Sequence, residues 1–381
     1  MNIKKIFNNN KWAIFLMAFL IGGAIGIIIP LTSTYMLQRN VSDLTIGVIE
    51  SVYFFAIAVG TVFINKKMFN MDLKKFIFIG LTLSSIGTLI FPLVSNPYYW
   101  FFTMCLIGFC ISFHLVGTQT ALHILSDEAI RGVVSGIYTL LFAAGYAVGT
   151  ISGPIIYEKS IVGSFIVGAA FLIGAAFIVL SKINIKLMVN HKGINEKSNK
   201  GITVSLQGAF SYGFIENTIA ALYPVFLIKS NFSVSQMGTA LAMFVIGGIV
   251  GTIPITYLGD KIGREKSLVI CSIISICSLV CITKFNAFEY KLLFSLICGI
   301  GVGAIYPVCM ALGVEDLKKE DISRQASRFT FFYSFGSAAG PVLSSYIMNR
   351  FSNKYIFSIS ILFLIALLIR LIGINRLKLQ N

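Results

Sequence analysis

The chain has few charged residues: Asp, Glu, Lys and Arg make up only 12% of its 381 residues. Hydrophobic residues make up 56%, and the mean hydropathy is +0.86. A water-soluble protein of this length needs a far more polar surface. The composition therefore excludes an ordinary soluble protein and indicates a membrane protein.

Motifs typical of several other protein classes are also missing from the sequence. It contains no Walker loop, no DxDxDG loop and no cluster of histidine and cysteine, which argues against ATP hydrolysis, calcium binding and structural zinc. The seven cysteines form no CxxC pair and fall in apolar stretches, which is typical of buried thiols. We therefore expect neither a cofactor nor a metal site.

Long apolar segments occur throughout the chain. A bilayer core of about 30 Å needs about 20 apolar residues per helix. Twelve segments reach this length, and the first is too long for the core of a signal peptide. The predicted spans are roughly 12–37, 44–64, 75–95, 98–125, 131–157, 162–181, 203–228, 234–258, 266–284, 290–313, 324–348 and 353–374.

The two halves of the chain repeat one another at a fixed offset. Gly47 and Gly238 are 191 positions apart, and the Gly-Thr pair at 60–61 recurs 191 positions later at 251–252. Such duplication is typical of membrane transporters. We therefore predict an all-α membrane protein with twelve transmembrane helices in two six-helix pseudo-repeats. The predicted parts are an N-terminal half, a cytoplasmic linker and a C-terminal half over 1–181, 182–201 and 202–381.

Basic residues are distributed unevenly between alternate loops. With the N-terminus inside, 23 of the 30 lysines and arginines fall on the cytoplasmic side. The other seven are Arg39, Lys159, Lys229, Lys284, Lys291, Arg350 and Lys354. Because cytoplasmic loops carry such an excess of Lys and Arg, both termini are predicted to be cytoplasmic. The net charge of +15 then needs no nucleic-acid partner to explain it.

One loop carries a recognisable motif. Between the eighth and ninth spans, residues 259–266 read Gly-Asp-Lys-Ile-Gly-Arg-Glu-Lys. This resembles the G-D-x-x-G-R-[RK] loop of the major facilitator superfamily. The resemblance implies a cytoplasmic latch between conformational states, formed by Gly259, Asp260, Gly263 and Arg264. An ordinary basic turn is the alternative interpretation.

The corresponding loop of the first half has lost this motif. At the same offset, Asp260 corresponds to Phe69 and Arg264 to Leu73, which argues against a symmetric latch. The degenerate first loop, the compact size and the stretch Gly-Ala-Ile-Tyr-Pro-Val over 303–308 resemble the short YcaD-type bacterial branch of the superfamily. That resemblance implies a multi-pass protein of the bacterial inner membrane, but it does not indicate a substrate.

Two spans carry related glycine and proline patterns. The fifth span resembles the G-x-x-x-G-P antiporter motif of exporters in the superfamily, and the eleventh carries a similar sequence. The residues are Gly145, Gly149, Gly153, Pro154, Gly336, Gly340 and Pro341. Glycines four positions apart share one helix face and allow close helix approach, while proline bends the backbone. The resemblance favours export, and plain helix packing is the alternative.

Ionisable residues inside predicted spans are candidates for function, because a charge at bilayer depth is unfavourable unless it is paired or hydrated. Glu216, with Asn217 beside it, lies near the middle of the seventh span, which is expected to line the central cavity of the family. Burial disfavours a carboxylate, so Glu216 is suited to carry a proton. A substrate contact and a structural polar contact are the alternatives.

Other polar residues in the spans are weaker candidates. Glu50 lies about two turns, roughly 11 Å, into the second span, where its side chain could still reach the surface. His114 and Gln119 lie on the fourth span, where the histidine could bond a neighbouring helix or join a proton path. Five tyrosines could line a cavity or simply pack between helices: Tyr35, Tyr212, Tyr223, Tyr306 and Tyr333.

Together these features predict a secondary active transporter that works by alternating access and is not an enzyme. We expect proton-coupled export of a small organic solute, such as a drug-like compound, a sugar or a siderophore-type chelator. Proton-driven uptake of a nutrient is the nearest alternative. A membrane-embedded enzyme or a channel agrees less well with polar residues scattered at mid-depth and with a two-half repeat. The expected partners are the solute, protons and the lipid bilayer, with a monomer as the working unit.

Overall fold

The computed structural model describes residues 9–67, 72–126, 131–182, 200–315, 317 and 319–380. Over these residues the chain forms twelve α-helices in succession. They are α1 (Asn9–Gln38), α2 (Asp43–Lys67), α3 (Leu73–Ile90), α4 (Pro97–Leu125), α5 (Arg131–Lys159), α6 (Ile161–Lys182), α7 (Lys200–Lys229), α8 (Val234–Ile262), α9 (Arg264–Lys284), α10 (Phe288–Val314), α11 (Lys319–Arg350) and α12 (Ser358–Gln380). Each predicted span overlaps one of these helices.

Ten of the helices in the described ranges are long and apolar enough to cross a membrane. The two that fall short of this hydropathy are α7, which carries Glu216 and Asn217 near its middle, and α11, which begins with several charged residues. Because a polar side chain in lipid is unfavourable, the polar positions of α7 and α11 must face protein or water. We therefore expect functional residues on these two helices.

The chain divides into two compact units. The first unit comprises Met1–Val41 and Val52–His191, and the second comprises Ser42–Ser51 and Lys192–Asn381. In the first unit α1 packs against α5 and α6, and α3 packs against α4 and α6. In the second unit α10 packs against α8, α9 and α7, and α7 also packs against α11. Apart from its ends, the predicted linker over 182–201 lies outside the described residues.

Two turns share the same backbone geometry at the offset of 191 residues. Asn40 follows α1 with φ of 60°, and Asn231 follows α7 with φ of 64°. The N–H of Asn40 donates to the carbonyl of Leu37, and the N–H of Asn231 donates to that of Ile228. Asparagine tolerates this left-handed conformation better than most residues with a Cβ. The two turns therefore end α1 and α7, and start α2 and α8, in the same way.

Glycines allow two pairs of helices to touch backbone to backbone. A Cβ on Gly149 of α5 would collide with the carbonyl of Gly23 on α1, and a Cβ on Gly336 of α11 would collide with that of Phe210 on α7. The motif glycines whose Cβ position is filled by backbone of the partner helix are Gly145, Gly149, Gly336 and Gly340. Gly153 faces the side chain of Ile27 instead. The motif prolines, Pro154 and Pro341, lie inside α5 and α11.

Candidate functional site

The carboxylate of Glu216, near the middle of α7, accepts two hydrogen bonds from tyrosines. The hydroxyl of Tyr212, one turn earlier on the same helix, donates to Oε1 at 2.8 Å. The hydroxyl of Tyr333 on α11 donates to Oε2 at 2.9 Å. Each carboxylate oxygen is thus held by a phenol, one from its own helix and one from the helix packed against it.

A third tyrosine joins this group from α10. The ring centroid of Tyr306 lies 5.3 Å from that of Tyr212 and 5.5 Å from that of Tyr333. The rings of Tyr212 and Tyr333 stack at 5.8 Å with an interplanar angle of 27°. Buried Phe329 packs edge-on against Tyr306 at 4.9 Å. We call Glu216, Tyr212, Tyr306 and Tyr333 the acid–tyrosine cluster.

Local sequence explains how the cluster is assembled. Tyr212 and Glu216 are four positions apart, so they share one face of α7. Between them, Gly213 leaves room for α11, because a Cβ there would collide with the backbone carbonyl of Tyr333. Asn217 turns back along its own helix and donates to the carbonyl of Gly213 at 3.0 Å. The close contact of α7 with α11 therefore brings Tyr333 to the acid.

The environment of Glu216 is aromatic, and the part of the chain that the structure describes provides no basic partner for it. All four side chains of the acid–tyrosine cluster are half-buried, so they border open space instead of filling a closed core. The ion pairs between residues that the structure describes involve other side chains than Glu216. A partly buried carboxylate without a cationic neighbour is stabilised by taking up a proton or by binding a cation.

The other predicted polar candidates lie away from the acid–tyrosine cluster or outside the description, and His114 has partners of its own. His114 is buried in the first unit, with Nδ1 2.9 Å from the hydroxyl of Thr118 and Nε2 3.4 Å from that of Tyr138 on α5. Glu50 is fully buried in the part of α2 that belongs to the second unit. The side chain of Gln119 lies outside the described part of the structure.

The five predicted tyrosines separate into two groups. Three of them form the acid–tyrosine cluster. The hydroxyl of Tyr35 donates to the carbonyl of Pro92 at 2.8 Å, and that of Tyr223 lies 2.9 Å from the hydroxyl of Ser295. Tyr35 and Tyr223 are almost fully buried, so they serve helix packing.

The turn between α8 and α9 needs a glycine at position 263. Gly263 has φ of 99°, where a residue with a Cβ is strained. Its N–H donates to the carbonyl of Gly259 at 3.0 Å, and α9 begins with the next residue. The chain can therefore reverse direction between the two helices without a longer loop.

Arg264 connects this turn to the end of α10. Its Nη1 group donates to the carbonyl of Ala311 at 2.9 Å and lies 3.3 Å from a carboxylate oxygen of Glu315. Its Nη2 atom lies 3.6 Å from a carboxylate oxygen of Asp260. The carboxyl end of a helix attracts cations through its free carbonyls and its dipole. Arg264 thus links α8, α9 and α10 in the second unit.

The comparison with known families settles the class of the protein. The sequence model of the Major Facilitator Superfamily matches residues 14–201 and 206–379. The chain belongs to the major facilitator superfamily. It is therefore a multi-pass secondary transporter of a small-molecule substrate, as the sequence predicted, and not an enzyme.

Similar sequences place this major facilitator near two bacterial transporters. It is 23% identical over 357 residues to the MFS-type transporter YcaD of Escherichia coli strain UMN026, covering 91% of each chain. It is 22% identical over 364 residues to the MFS-type transporter YfkF of Bacillus subtilis strain 168, covering 91% of this chain and 92% of that one. The predicted resemblance to the YcaD-type branch is confirmed.

Solved structures confirm the twelve-helix fold of this superfamily member. The nucleoside transporter NupG superimposes with a TM-score of 0.75 at 13% identity, over 96% of this chain and 98% of that one. A bacterial homologue of the human lysosomal transporter Spinster, inward-facing and unoccupied, gives a TM-score of 0.74 at 12% identity, over 95% and 94%. The division into two six-helix pseudo-repeats stays a prediction.

Sequence analysis missed two features of this major facilitator's second unit. The ammonium group of Lys229 lies 2.6 Å from both carboxylate oxygens of Asp43. Lys291 is buried, and its ammonium group donates to the carbonyl of Ile282 and faces the ring of Phe226 at 4.8 Å. The only signal in the sequence was that all three charged residues lie at the predicted outer ends of spans.

Proposed function

We propose that this protein exports a small organic molecule in exchange for protons, and that Glu216 carries the coupling proton. We place it in the inner membrane of a bacterium, as a monomer with both termini in the cytoplasm. The observation that carries the proposal is the position of Glu216. It lies in the middle of α7, held by two tyrosine hydroxyls and without a basic partner among the described residues.

The two phenols suit a carboxyl group that gains and loses a proton. A tyrosine hydroxyl can both donate and accept hydrogen bonds, whereas a carboxylate only accepts and a carboxylic acid also donates. Tyr212 and Tyr333 can therefore satisfy Glu216 in either state by rotating their hydroxyl protons. Protonation then needs no rearrangement of the helices, which favours reversible proton transfer.

Export is supported by the glycines and proline of α5. Their sequence resembles the antiporter motif of exporters in the superfamily, and Gly145 and Gly149 lie against the backbone of α1. An antiporter must pass between states only when loaded, and the close α1–α5 contact suits a tightly packed first unit of this kind. Uptake of a nutrient is the competing direction.

We also propose that the turn around Gly263 acts as a latch. Any movement of the α8–α9 turn away from α10 has to break both contacts of Arg264, to the carbonyl of Ala311 and to Glu315. A broken charge-assisted contact can form again on the return movement, so the pair biases one conformation without fixing it. Asp260, whose side chain is largely exposed, contributes less to this contact.

Accumulation of a panel of labelled compounds in inverted membrane vesicles tests the proposal. Wild-type protein should accumulate its solute only when the vesicle interior is more acidic than the medium, because a proton then leaves the vesicle as the solute enters. Glu216→Gln should abolish uphill accumulation and retain exchange of solute without a gradient, because the amide keeps the shape but cannot titrate. The control is Glu289→Gln, an exposed acid in the first turn of α10, which should transport normally. Uphill transport by Glu216→Gln with unchanged pH dependence would contradict the proton role, and accumulation only in right-side-out vesicles would contradict export.

A further inference from the structure

We propose that the acid–tyrosine cluster binds the transported molecule, and that this molecule is an organic cation that competes with the proton for Glu216. This inference rests on the proposed function, because it takes Glu216 as the proton site, and it adds the substrate class. Charge, aromatic surface and the shortage of other polar groups around the acid each point to the same ligand chemistry.

Charge is the first argument. A carboxylate offers about four lone-pair positions, and the hydroxyls of Tyr212 and Tyr333 occupy two of them. The remaining positions of Glu216 face no basic side chain among the residues that the structure describes. A positively charged ligand would supply the missing partner, whereas an anionic ligand would be repelled by the same carboxylate.

The aromatic surface is the second argument. Three tyrosine rings from three different helices surround Glu216, with centroids 5.3 to 5.8 Å apart. The face of an aromatic ring attracts a cation within about 6 Å of its centroid. Rings that flank a carboxylate combine this attraction with direct charge pairing, which is the arrangement that binds ammonium and phosphonium groups. All three rings are half-buried, so they retain surface for a ligand.

The few other polar groups that the described residues place beside Glu216 argue against two rival substrate classes. A sugar needs several planar donors and acceptors, but Asn217 already uses its amide nitrogen on the carbonyl of Gly213. A metal ion needs several ligating side chains, and no group of three His, Cys, Asp or Glu exists within the described residues. A single carboxylate among phenols suits a large, weakly hydrated organic cation better than either.

Competition at one carboxylate also provides the coupling. Protonated Glu216 has no charge for the cation, and cation-bound Glu216 has no free charge for the proton. Each cation that binds to the protonated form therefore releases one proton, and each proton that returns displaces the cation. Exchange of one proton for one singly charged cation follows from this single site without a second titrating group.

Proton release and binding by the purified protein in weakly buffered detergent solution test the inference. The probes are tetraphenylphosphonium and benzyltrimethylammonium, with neutral triphenylphosphine oxide for comparison. We expect at least one of the cations to bind with release of one proton per bound ion and with weaker binding at lower pH. Glu216→Gln should lose the proton release and at least tenfold in affinity. Tyr306→Leu should bind about 5- to 30-fold more weakly, as expected for loss of a desolvated cation–π contact, but should still release the proton.

Two matched variants separate the ring from the hydroxyl and the site from packing. Tyr306→Phe keeps the ring and should bind more tightly than Tyr306→Leu, which separates the ring from the hydroxyl. Tyr223→Phe removes a hydroxyl of α7 that lies in a packed contact with Ser295 of α10, and it should leave binding unchanged. Thermal unfolding of each variant confirms that it is folded before binding is compared.

The results distinguish failure of this inference from failure of the proposed function. Difference infrared spectra report the protonated carboxyl of Glu216 as a pH-dependent band that Glu216→Gln lacks. If this band is present but neither cation binds, or if the neutral analogue binds equally well, the inference is wrong and the proton role stands. If the band is missing and transport does not depend on pH, the proposed function is wrong. Cation binding without proton release overturns the competition.

Discussion

Lys229 holds both carboxylate oxygens of Asp43 at 2.6 Å, although the two residues are 186 positions apart in the sequence. Asp43 begins α2, and Lys229 is the last residue of α7. On the same turn of α2, Gly47 lies so close to α11 that a Cβ would collide with the side chain of Ser345 and the carbonyl of Pro341. One ion pair and one glycine contact thus fix the start of α2 within the second unit.

The two residues of this pair should differ in their effect on stability. The side chain of Asp43 is 7% exposed and that of Lys229 is 37% exposed. Lys229→Met leaves a buried carboxylate without a cation and should lower the free energy of unfolding by about 2–3 kcal/mol, whereas Asp43→Asn leaves a hydrated ammonium group and should cost about 1 kcal/mol. Thermal unfolding in detergent measures both. Equal losses of unfolding free energy in the two single variants would contradict this view. So would a double variant Asp43→Asn/Lys229→Met that is no more stable than Lys229→Met alone.

Helix packing at Gly149 should tolerate no side chain. Gly149→Ala pushes a methyl group into the backbone of α1 and should destabilise the protein by about 2–3 kcal/mol. Gly136, also on α5, has no atom within 4 Å of its Cβ position and is the matched control. Gly136→Ala should be neutral or should stabilise by roughly 0.5–1 kcal/mol, because alanine is the better helix former. If the two variants melt at the same temperature, the close approach of α1 and α5 is not important for stability.

Arg264 should control the rate of the transport cycle more than the amount of protein in the membrane. Arg264→Ala removes the contacts to Ala311 and Glu315, and Glu315→Gln weakens only the ion pair. We expect normal insertion, a several-fold lower turnover for Arg264→Ala and a smaller effect for Glu315→Gln. Lys266→Ala, an exposed basic residue of the same loop, is the control and should turn over normally. Normal turnover of Arg264→Ala at normal expression would exclude the latch.

His114 should support packing and not proton transfer. Both of its ring nitrogens already face hydroxyls, those of Thr118 and Tyr138, and the ring is fully buried. His114→Leu should lower stability by about 1–3 kcal/mol, because it leaves the buried hydroxyl of Thr118 and the partly buried hydroxyl of Tyr138 without their partner. Tyr138→Phe, which removes one of those hydroxyls, should be milder. The pH dependence of transport should be the same in His114→Leu as in the wild type. A shifted pH profile would place His114 in the proton path.

The helices could be predicted because the bilayer imposes a length on each apolar segment. That rule needs no tertiary contact, so the apolar spans matched the observed helices even where α7 and α11 were less apolar. Spacing also predicted that Tyr212 and Glu216 share a face, since residues four apart always do so on a helix. Position alone marked Glu216 as unusual.

The rest of the site depends on contacts between helices that are distant in sequence. Nothing in the spacing of Tyr306 and Tyr333 distinguishes them from Tyr35 and Tyr223, which are packing residues. Only the approach of α11 to α7 at Gly213 brings Tyr333 to the acid. The ion pair between Asp43 and Lys229 could not be predicted for the same reason, because many charged residues at span ends could have formed such a pair.

Glu216 lies on α7 and Tyr333 lies on α11. Among the described helices, these are also the two that are not apolar enough to count as membrane spans by themselves. During biosynthesis the translocon passes a helix into lipid according to the hydropathy of that helix. When α7 leaves the ribosome, its neighbours α10 and α11 have not yet been made. Stable membrane insertion of α7 should therefore depend on the later helices of the second unit.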